Sequence, residues 1–181
     1  MIKLAIAEQE LYDESTGRFI YTPSTILELE HSLISISKWE AMYHKPFLSQ
    51  KQKSKKEIID YVKCMTINNC NDSNVYLALS DTNVKKITAY IENPMTATRF
   101  NESPNERKSS REQITSELIY YWMVALNIPF ECQKWHLNRL LTLIRICNIK
   151  NAPPKKMSQR EIMSRNTALN AARRKALGTK G

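Results

Sequence analysis

Two strongly apolar segments near the middle of the chain, residues 114–126 and 130–149, constrain the fold more than any other feature. In the first segment, apolar residues recur three and four positions apart, which is the spacing of one helix face. The segments meet at Pro129, which cannot continue a helix because it lacks an N–H, although its fixed φ suits the first turn of the next one. A Ser-x-x-Glu capping box at residues 109–112 precedes the first segment. The sequence therefore predicts a helical hairpin over residues 109–149.

This hairpin is predicted to form the core of the domain. Trp122 and Trp135 fall on its apolar faces, and we expect both to be buried in one core. Charged residues interrupt the second segment before about 20 apolar residues accumulate, so the segment is not expected to span a bilayer.

Other elements are predicted from alternation and from capping patterns. Alternating or continuous apolar residues predict two or three strands over residues 2–6 and 18–29, one of them in a hairpin around residues 13–17, and residues 27–33 could extend a strand. Further capping boxes predict helices that begin at residues 37–40, 54–57 and 158–161, and Ser80 begins another. Gly178 is expected to close the last helix.

The predicted fold class is α+β and mainly α. Residues 1–152 are expected to form one globular domain, with a small N-terminal β element (residues 1–35) and a helical part (residues 36–152) centred on the 109–149 hairpin. Residues 153–181 are expected to form a linker and a basic C-terminal helix.

The positive charge of the chain is concentrated at its C-terminal end. The net charge is +9, and residues 155–181 hold eight basic residues and one acid, for a net charge of +7. An electrostatic partner is therefore expected to contact this segment, as a solvated helix, as an amphipathic helix that folds on a partner, or as a helix that binds phosphates. The aromatic residues expected for single-strand binding are missing. The candidate partner-binding residues are Lys155, Lys156, Arg160, Arg165, Arg173, Arg174 and Lys175.

No pattern for catalysis or for a cofactor is present in the sequence. Glycine occurs only at positions 17, 178 and 181, which excludes Walker and dinucleotide-binding loops. The four cysteines lack the paired spacing of zinc sites, and we expect Cys132 and Cys147 to be buried and reduced. His136 is expected to be a hydrogen-bonded core residue. An enzymatic or metal-binding alternative would need Cys132 and His136 to share a helix face. We expect a non-enzymatic protein without catalytic residues, cofactor or zinc, and without a signal peptide.

Four stretches of the chain carry a resemblance to a known class of protein: ISKWE (residues 36–40), DYVKCM (60–65), PMTAT (94–98) and QKWHLNRL (133–140). They resemble proteins of the structural or assembly module of tailed bacteriophages and are most similar to the tail assembly chaperones. The resemblance extends from about residue 25 onward.

The resemblance implies a small, helical, non-enzymatic protein in the host cytoplasm. Such a protein binds tape measure and tail tube subunits during assembly and is absent from the finished particle. The basic C-terminal helix also fits a structural component retained in the virion (tail, baseplate or head–tail joining), where it would contact neighbouring virion subunits. A nucleic-acid-binding phage protein that uses this helix is a further alternative, and a homo-oligomer stays open.

Overall fold

The computed structural model describes residues 1–13, 17–49, 52–70, 72–100, 113–153 and 158–178. The fold is α+β and mainly helical, which confirms the fold class expected from the sequence. The chain divides into two compact units, Met1–Asn148 and Ile149–Gly181. Within the described ranges, no helix is both long enough and apolar enough to cross a membrane.

Four short strands form the N-terminal β element. They are β1 (Ile2–Ile6), β2 (Gln9–Asp13), β3 (Arg18–Thr22) and β4 (Thr25–Leu29). β1 pairs antiparallel with β4, which places Leu4 opposite Leu27, and β2 pairs antiparallel with β3. Both leucines are buried. β2 lies outside the ranges that were predicted to form strands, because most of its residues are polar and only one of its faces is covered.

The first helix, α1 (Leu33–Tyr43), begins ahead of the position that the capping box at residues 37–40 predicts. Its N-cap is Ser32, whose hydroxyl accepts a hydrogen bond from the Ser35 N–H, while the Ser35 hydroxyl accepts one from the Ser32 N–H. Ser35 occupies the position where a capping box usually has Glu or Gln, so the Ser-x-x-Glu pattern does not identify this box. The predicted strand extension over residues 27–33 is right only as far as Leu29, where β4 ends. It is wrong beyond that point, because Ser32 caps α1 and the helix begins at Leu33.

The next helices begin where the sequence predicts. α2 spans Lys55–Met65, a 3₁₀ turn spans Ser73–Tyr76 and α3 spans Asp81–Glu92. Ser54 and Ser80 are the N-caps of α2 and α3, and each side chain accepts a hydrogen bond from a backbone N–H of the first turn. Tyr61 and Val62 of α2 are buried, whereas Ile58 is exposed.

The central hairpin is present, but its second arm is broken. α4 spans Ser116–Ala125, a 3₁₀ turn spans Phe130–Lys134 and α5 spans Leu137–Asn151. The prediction of one continuous helix over residues 130–149 is therefore wrong. His136 forms a β-bridge with Ser32, and the Leu137 N–H donates to the His31 carbonyl over 2.7 Å. The backbone at this point bonds to a distant part of the chain instead of continuing a helix.

The first arm of the hairpin begins later than predicted. Residues 113–115 are not helical, and Thr115 is the N-cap of α4. Its hydroxyl accepts a hydrogen bond from the Leu118 N–H over 3.4 Å. The predicted capping box at residues 109–112 lies outside the described residues.

Glu40 of α1 joins three segments of the core. The carboxylate is buried, and its Oε1 accepts a hydrogen bond from the Phe47 N–H over 2.7 Å. Its Oε2 accepts another from the Ser116 N–H at the start of α4, also over 2.7 Å. A carboxylate is favourable at a helix N-terminus because it meets the positive end of the helix dipole. Glu40 therefore fixes the start of α4 on α1.

Trp39 of α1 is the largest fully buried side chain, and its indole N–H donates to the Glu57 carbonyl over 3.0 Å. Trp122 and Trp135 are only half-buried and pack against the core, so the prediction that both are buried is wrong. Trp135 lies in extended backbone before α5, and the Arg139 guanidinium covers its ring at 4.3 Å from the ring centroid.

Candidate functional site

The candidate site predicted from the sequence lies on the last helix, α6 (Gln159–Leu177), which forms as predicted. The Ser158 hydroxyl accepts a hydrogen bond from the Glu161 N–H over 3.2 Å, and the Glu161 carboxylate accepts one from the Ser158 N–H over 2.8 Å. Gly178 closes the helix with φ +65 and donates its N–H to the Arg174 carbonyl. Both ends of α6 are therefore stabilised by hydrogen bonds within the segment itself.

All the basic side chains of α6 are exposed, as is every other residue from 158 to 178. These side chains are Arg160, Arg165, Arg173, Arg174 and Lys175, whereas Lys155 and Lys156 lie outside the described residues. Arg174 and Lys175 lie in the last turn and Glu161 lies in the first. This arrangement opposes the helix dipole at both ends and supports the helix electrostatically.

A narrow apolar stripe runs along α6. Ile162, Leu169 and Ala176 are spaced seven residues apart and lie on one side of the helix. Ile162 and Leu169 are 43% and 45% exposed. Arg165 falls within this stripe and Arg173 falls beside it, so guanidinium groups and apolar side chains occupy the same side. Such a surface can contact apolar groups and pair with carboxylates at the same time.

The alternative site of Cys132 and His136 is not formed as a shared helix face. Cys132 lies in the 3₁₀ turn Phe130–Lys134, and His136 lies between this turn and α5. Cys132 is buried as expected, whereas the prediction that Cys147 is buried is wrong, because Cys147 is half-buried; neither forms a disulfide. Burial raises the pKa of the Cys132 thiol, which disfavours the nucleophilic thiolate. In the part of the chain that the structure describes, no three His, Cys, Asp or Glu side chains are grouped so that they could hold a metal ion.

His136 is a hydrogen-bonded core residue, as predicted. Its Nε2 lies 3.0 Å from the Tyr90 carbonyl oxygen, and its Nδ1 accepts a hydrogen bond from the Asn138 N–H over 3.3 Å. The carbonyl can only accept, so Nε2 carries the proton and the imidazole is neutral. Burial lowers the pKa of His136, which favours this neutral form.

His31 lies beside His136 in the core, although no pattern in the sequence indicates this contact. The His31 and His136 rings lie 5.1 Å apart, and His31 Nδ1 lies 2.5 Å from the Tyr61 hydroxyl. Burial and, to a smaller extent, the neighbouring His136 lower the pKa of His31 to about 3. Tyr90 connects the cluster to Glu30, because its hydroxyl donates to the Glu30 carboxylate over 2.6 Å. These groups bond to one another inside the core and stabilise it.

No protein-family model, curated protein or solved structure matches this chain. The resemblance to tail assembly chaperones therefore stays a prediction.

Proposed function

We propose that this chain is a non-enzymatic assembly protein that acts through protein–protein contacts, and that α6 is the helix that recognises an acidic partner surface. One observation carries this proposal. α6 has two well-capped ends, five basic residues and an apolar stripe, yet none of its residues is buried. A helix with these properties has the composition of a recognition helix rather than that of a core helix.

The apolar stripe favours a protein partner over a nucleic acid. Ile162 and Leu169 can enter a shallow apolar groove, while Arg165 and Arg173 beside them pair with carboxylates at its edges. A phosphate backbone would use the cations and leave the two aliphatic side chains in water. An isolated helix of this length is only marginally stable in water, so binding to such a groove would also stabilise α6.

The setting that we propose is the assembly of a bacteriophage tail, in the cytoplasm of the host. This part of the proposal rests on the resemblance of four stretches of the sequence to the tail assembly chaperones. The corresponding partners are the tape measure and tail tube proteins. Retention in the virion, in contact with neighbouring subunits, is the alternative, and mass spectrometry of purified particles distinguishes the two. Peptides at structural copy number would identify a virion component.

The recognition role of α6 is tested with a truncation and a charge variant. Truncation after Asn151 should leave the remaining domain folded, and the triple variant R173A/R174A/K175A should keep the whole chain folded. Both should bind co-expressed tape measure or tail tube protein at least about tenfold more weakly, with the difference largest at low ionic strength. The matched control is K85A/K86A, which removes two exposed cations from α3.

Three results would contradict the proposal. They are unfolding of the truncated chain, unchanged partner binding by the triple variant, and an equal loss of binding in the α3 control. Binding to duplex DNA of random sequence that falls steeply with salt, without binding to either protein, would identify the nucleic-acid alternative.

A further inference from the structure

The hairpin of β2 and β3 exposes three aromatic rings on one face. Tyr12, Phe19 and Tyr21 are 57%, 71% and 54% exposed. Tyr12 lies directly opposite Phe19 in the strand register, and their ring centroids are 5.2 Å apart. Tyr21 lies opposite Glu10 on the same face. Aromatic side chains that are grouped and exposed in this way are typical of protein interfaces, where they bury a large area at a small entropic cost.

The other face of this hairpin is anchored on the domain. The Gln9 side-chain amide donates to the Ala78 carbonyl over 2.7 Å, Leu11 packs against the core, and Thr22 is fully buried. The aromatic face is therefore held outward by a fixed strand register rather than by a loose loop. A partner would meet a preorganised surface.

The aromatic face lies on the acidic part of a basic protein. Residues 8–22 contain four acids and one base, for a net charge of −3, whereas the whole chain has a net charge of +9. Glu8 hydrogen-bonds to the Tyr21 hydroxyl and raises its pKa, which places one carboxylate at the edge of the rings. Glu10 is exposed beside them. The surface therefore combines aromatic rings with carboxylates, and it suits a ligand that combines apolar groups with cations.

We infer that this aromatic, acidic face binds α6 of a second copy of the same chain. The inference rests on the proposed role of α6 as a recognition helix. Residues 158–178 carry a net charge of +4, and their apolar stripe includes Arg165. Guanidinium groups stack on aromatic rings, pair with Glu8 and Glu10, and leave Ile162 and Leu169 to contact the ring edges.

Such a contact joins two different surfaces, and each copy carries both of them. It is therefore a heterologous contact, which produces rings or open chains of subunits rather than only a symmetric dimer. A five-residue strand is about 17 Å long and a 19-residue helix about 28 Å, so the hairpin would cover roughly half of α6. An interface of this size is weak, and self-association should depend strongly on protein concentration.

The first experiment measures self-association of the full-length, nuclease-treated protein by sedimentation velocity over a range of concentrations. We expect oligomers that dissociate as salt is raised. The hairpin variant Y12S/F19S should weaken self-association more than about tenfold, as should Y21R, which replaces one ring with a repelling cation. The matched control Y121S removes a tyrosine on α4 that is 65% exposed and should change nothing.

The second experiment mixes two variants that are each monomeric. The hairpin variant Y12S/F19S keeps an intact α6, and the helix variant R173E/R174E keeps an intact hairpin. An equimolar mixture should form dimers and nothing larger, because only one intact pair of surfaces is available. A full-length protein that is monomeric at every concentration, or a mixture that stays monomeric, would overturn the inference. If R173E/R174E nevertheless binds the tape measure or tail tube protein more weakly than the wild type does, the proposed function of α6 is retained and only the contact between copies is rejected.

Discussion

The core of unit Met1–Asn148 and the helix α6 are stabilised in opposite ways. In the core, hydrogen bonds join polar groups that are far apart in sequence. The Ser116 N–H donates to the Glu40 carboxylate, and the Leu137 N–H donates to the His31 carbonyl. In α6, the capping groups lie within three or four residues of their partners, and no side chain is buried. Removing one side chain from the core should therefore lower the stability of the whole core, whereas removing one from α6 should affect only the helix around it.

The largest difference between the two regions should come from removing an apolar side chain. Trp39→Ala should lower the free energy of unfolding by about 3–5 kcal/mol, because it leaves a large cavity. The control L169A in α6 should change it by no more than about 0.5 kcal/mol, because Leu169 is exposed. Both values follow from urea denaturation monitored by circular dichroism. Equal midpoints for the two variants would contradict the comparison.

The buried carboxylate of Glu40 gives the next largest effect. Glu40→Ala leaves the Phe47 and Ser116 N–H groups without their acceptor. Each buried donor without a partner costs about 1–3 kcal/mol, so we expect a loss of about 2–4 kcal/mol. Glu40→Gln keeps one acceptor oxygen and should lose roughly half as much. A variant E40A that unfolds at the same urea concentration as the wild type would show that water replaces the carboxylate.

The histidine pair should make the stability of the core depend on pH. His31 has a pKa of about 3 in the folded protein and 6.5 as its ordinary value, so below pH 6.5 the unfolded chain takes up a proton that the folded chain does not. The stability from neutral His31 is present above pH 6.5 and is lost as pH falls, by about 1.4 kcal/mol per pH unit. The lowered pKa of His136 adds to this loss in the same direction.

Urea denaturation between pH 7 and pH 5 measures this effect. Glu57, whose pKa is lowered to about 2 from 4.5 by hydrogen bonds to Ser54 and Lys45, loses its contribution only below about pH 4.5 and does not interfere. H31Q should flatten the slope between pH 7 and pH 5. The same slope in H31Q and in the wild type would assign the pH dependence to other groups.

The smallest effect is expected in α6. Ser158→Ala removes the side-chain acceptor of the Glu161 N–H and should weaken the first turn by about 1 kcal/mol. Hydrogen exchange of the amides at residues 161 and 162 should become faster, while the urea midpoint of the core stays the same. S158T, which keeps the hydroxyl, is the control. A shift of the core midpoint in S158A would show that the cap also supports the core.

The sequence predicts those parts of the fold whose causes are local. Ser54, Ser80 and Ser158 each cap a helix through contacts within the first turn, and all three helices begin as predicted. The break before α5 was not predictable in this way. It depends on the backbone of His31, more than a hundred positions away, and nothing in the sequence around Trp135 and His136 interrupts the helical spacing.

Prediction of the candidate site is limited in the same way, because local features are visible in the sequence and distant contacts are not. The basic residues of α6 were identified from charge alone, because a charge cluster on a capped helix is visible in the sequence. The aromatic face of β2 and β3 was missed, because its grouping depends on the register that places Tyr12 opposite Phe19. The pairing of His31 with His136 was missed for the same reason.

The bond between Glu40 and Ser116 has a consequence for synthesis on the ribosome. Glu40 is made 76 residues before Ser116. Until Ser116 has emerged, one oxygen of this carboxylate has only water as a hydrogen-bond donor, and burying it without a partner is unfavourable. The side of α1 that carries Glu40 therefore stays hydrated in a nascent chain that ends before residue 116. We therefore expect this part of the core to pack only after α4 has left the ribosome, and not when α1 alone has been completed.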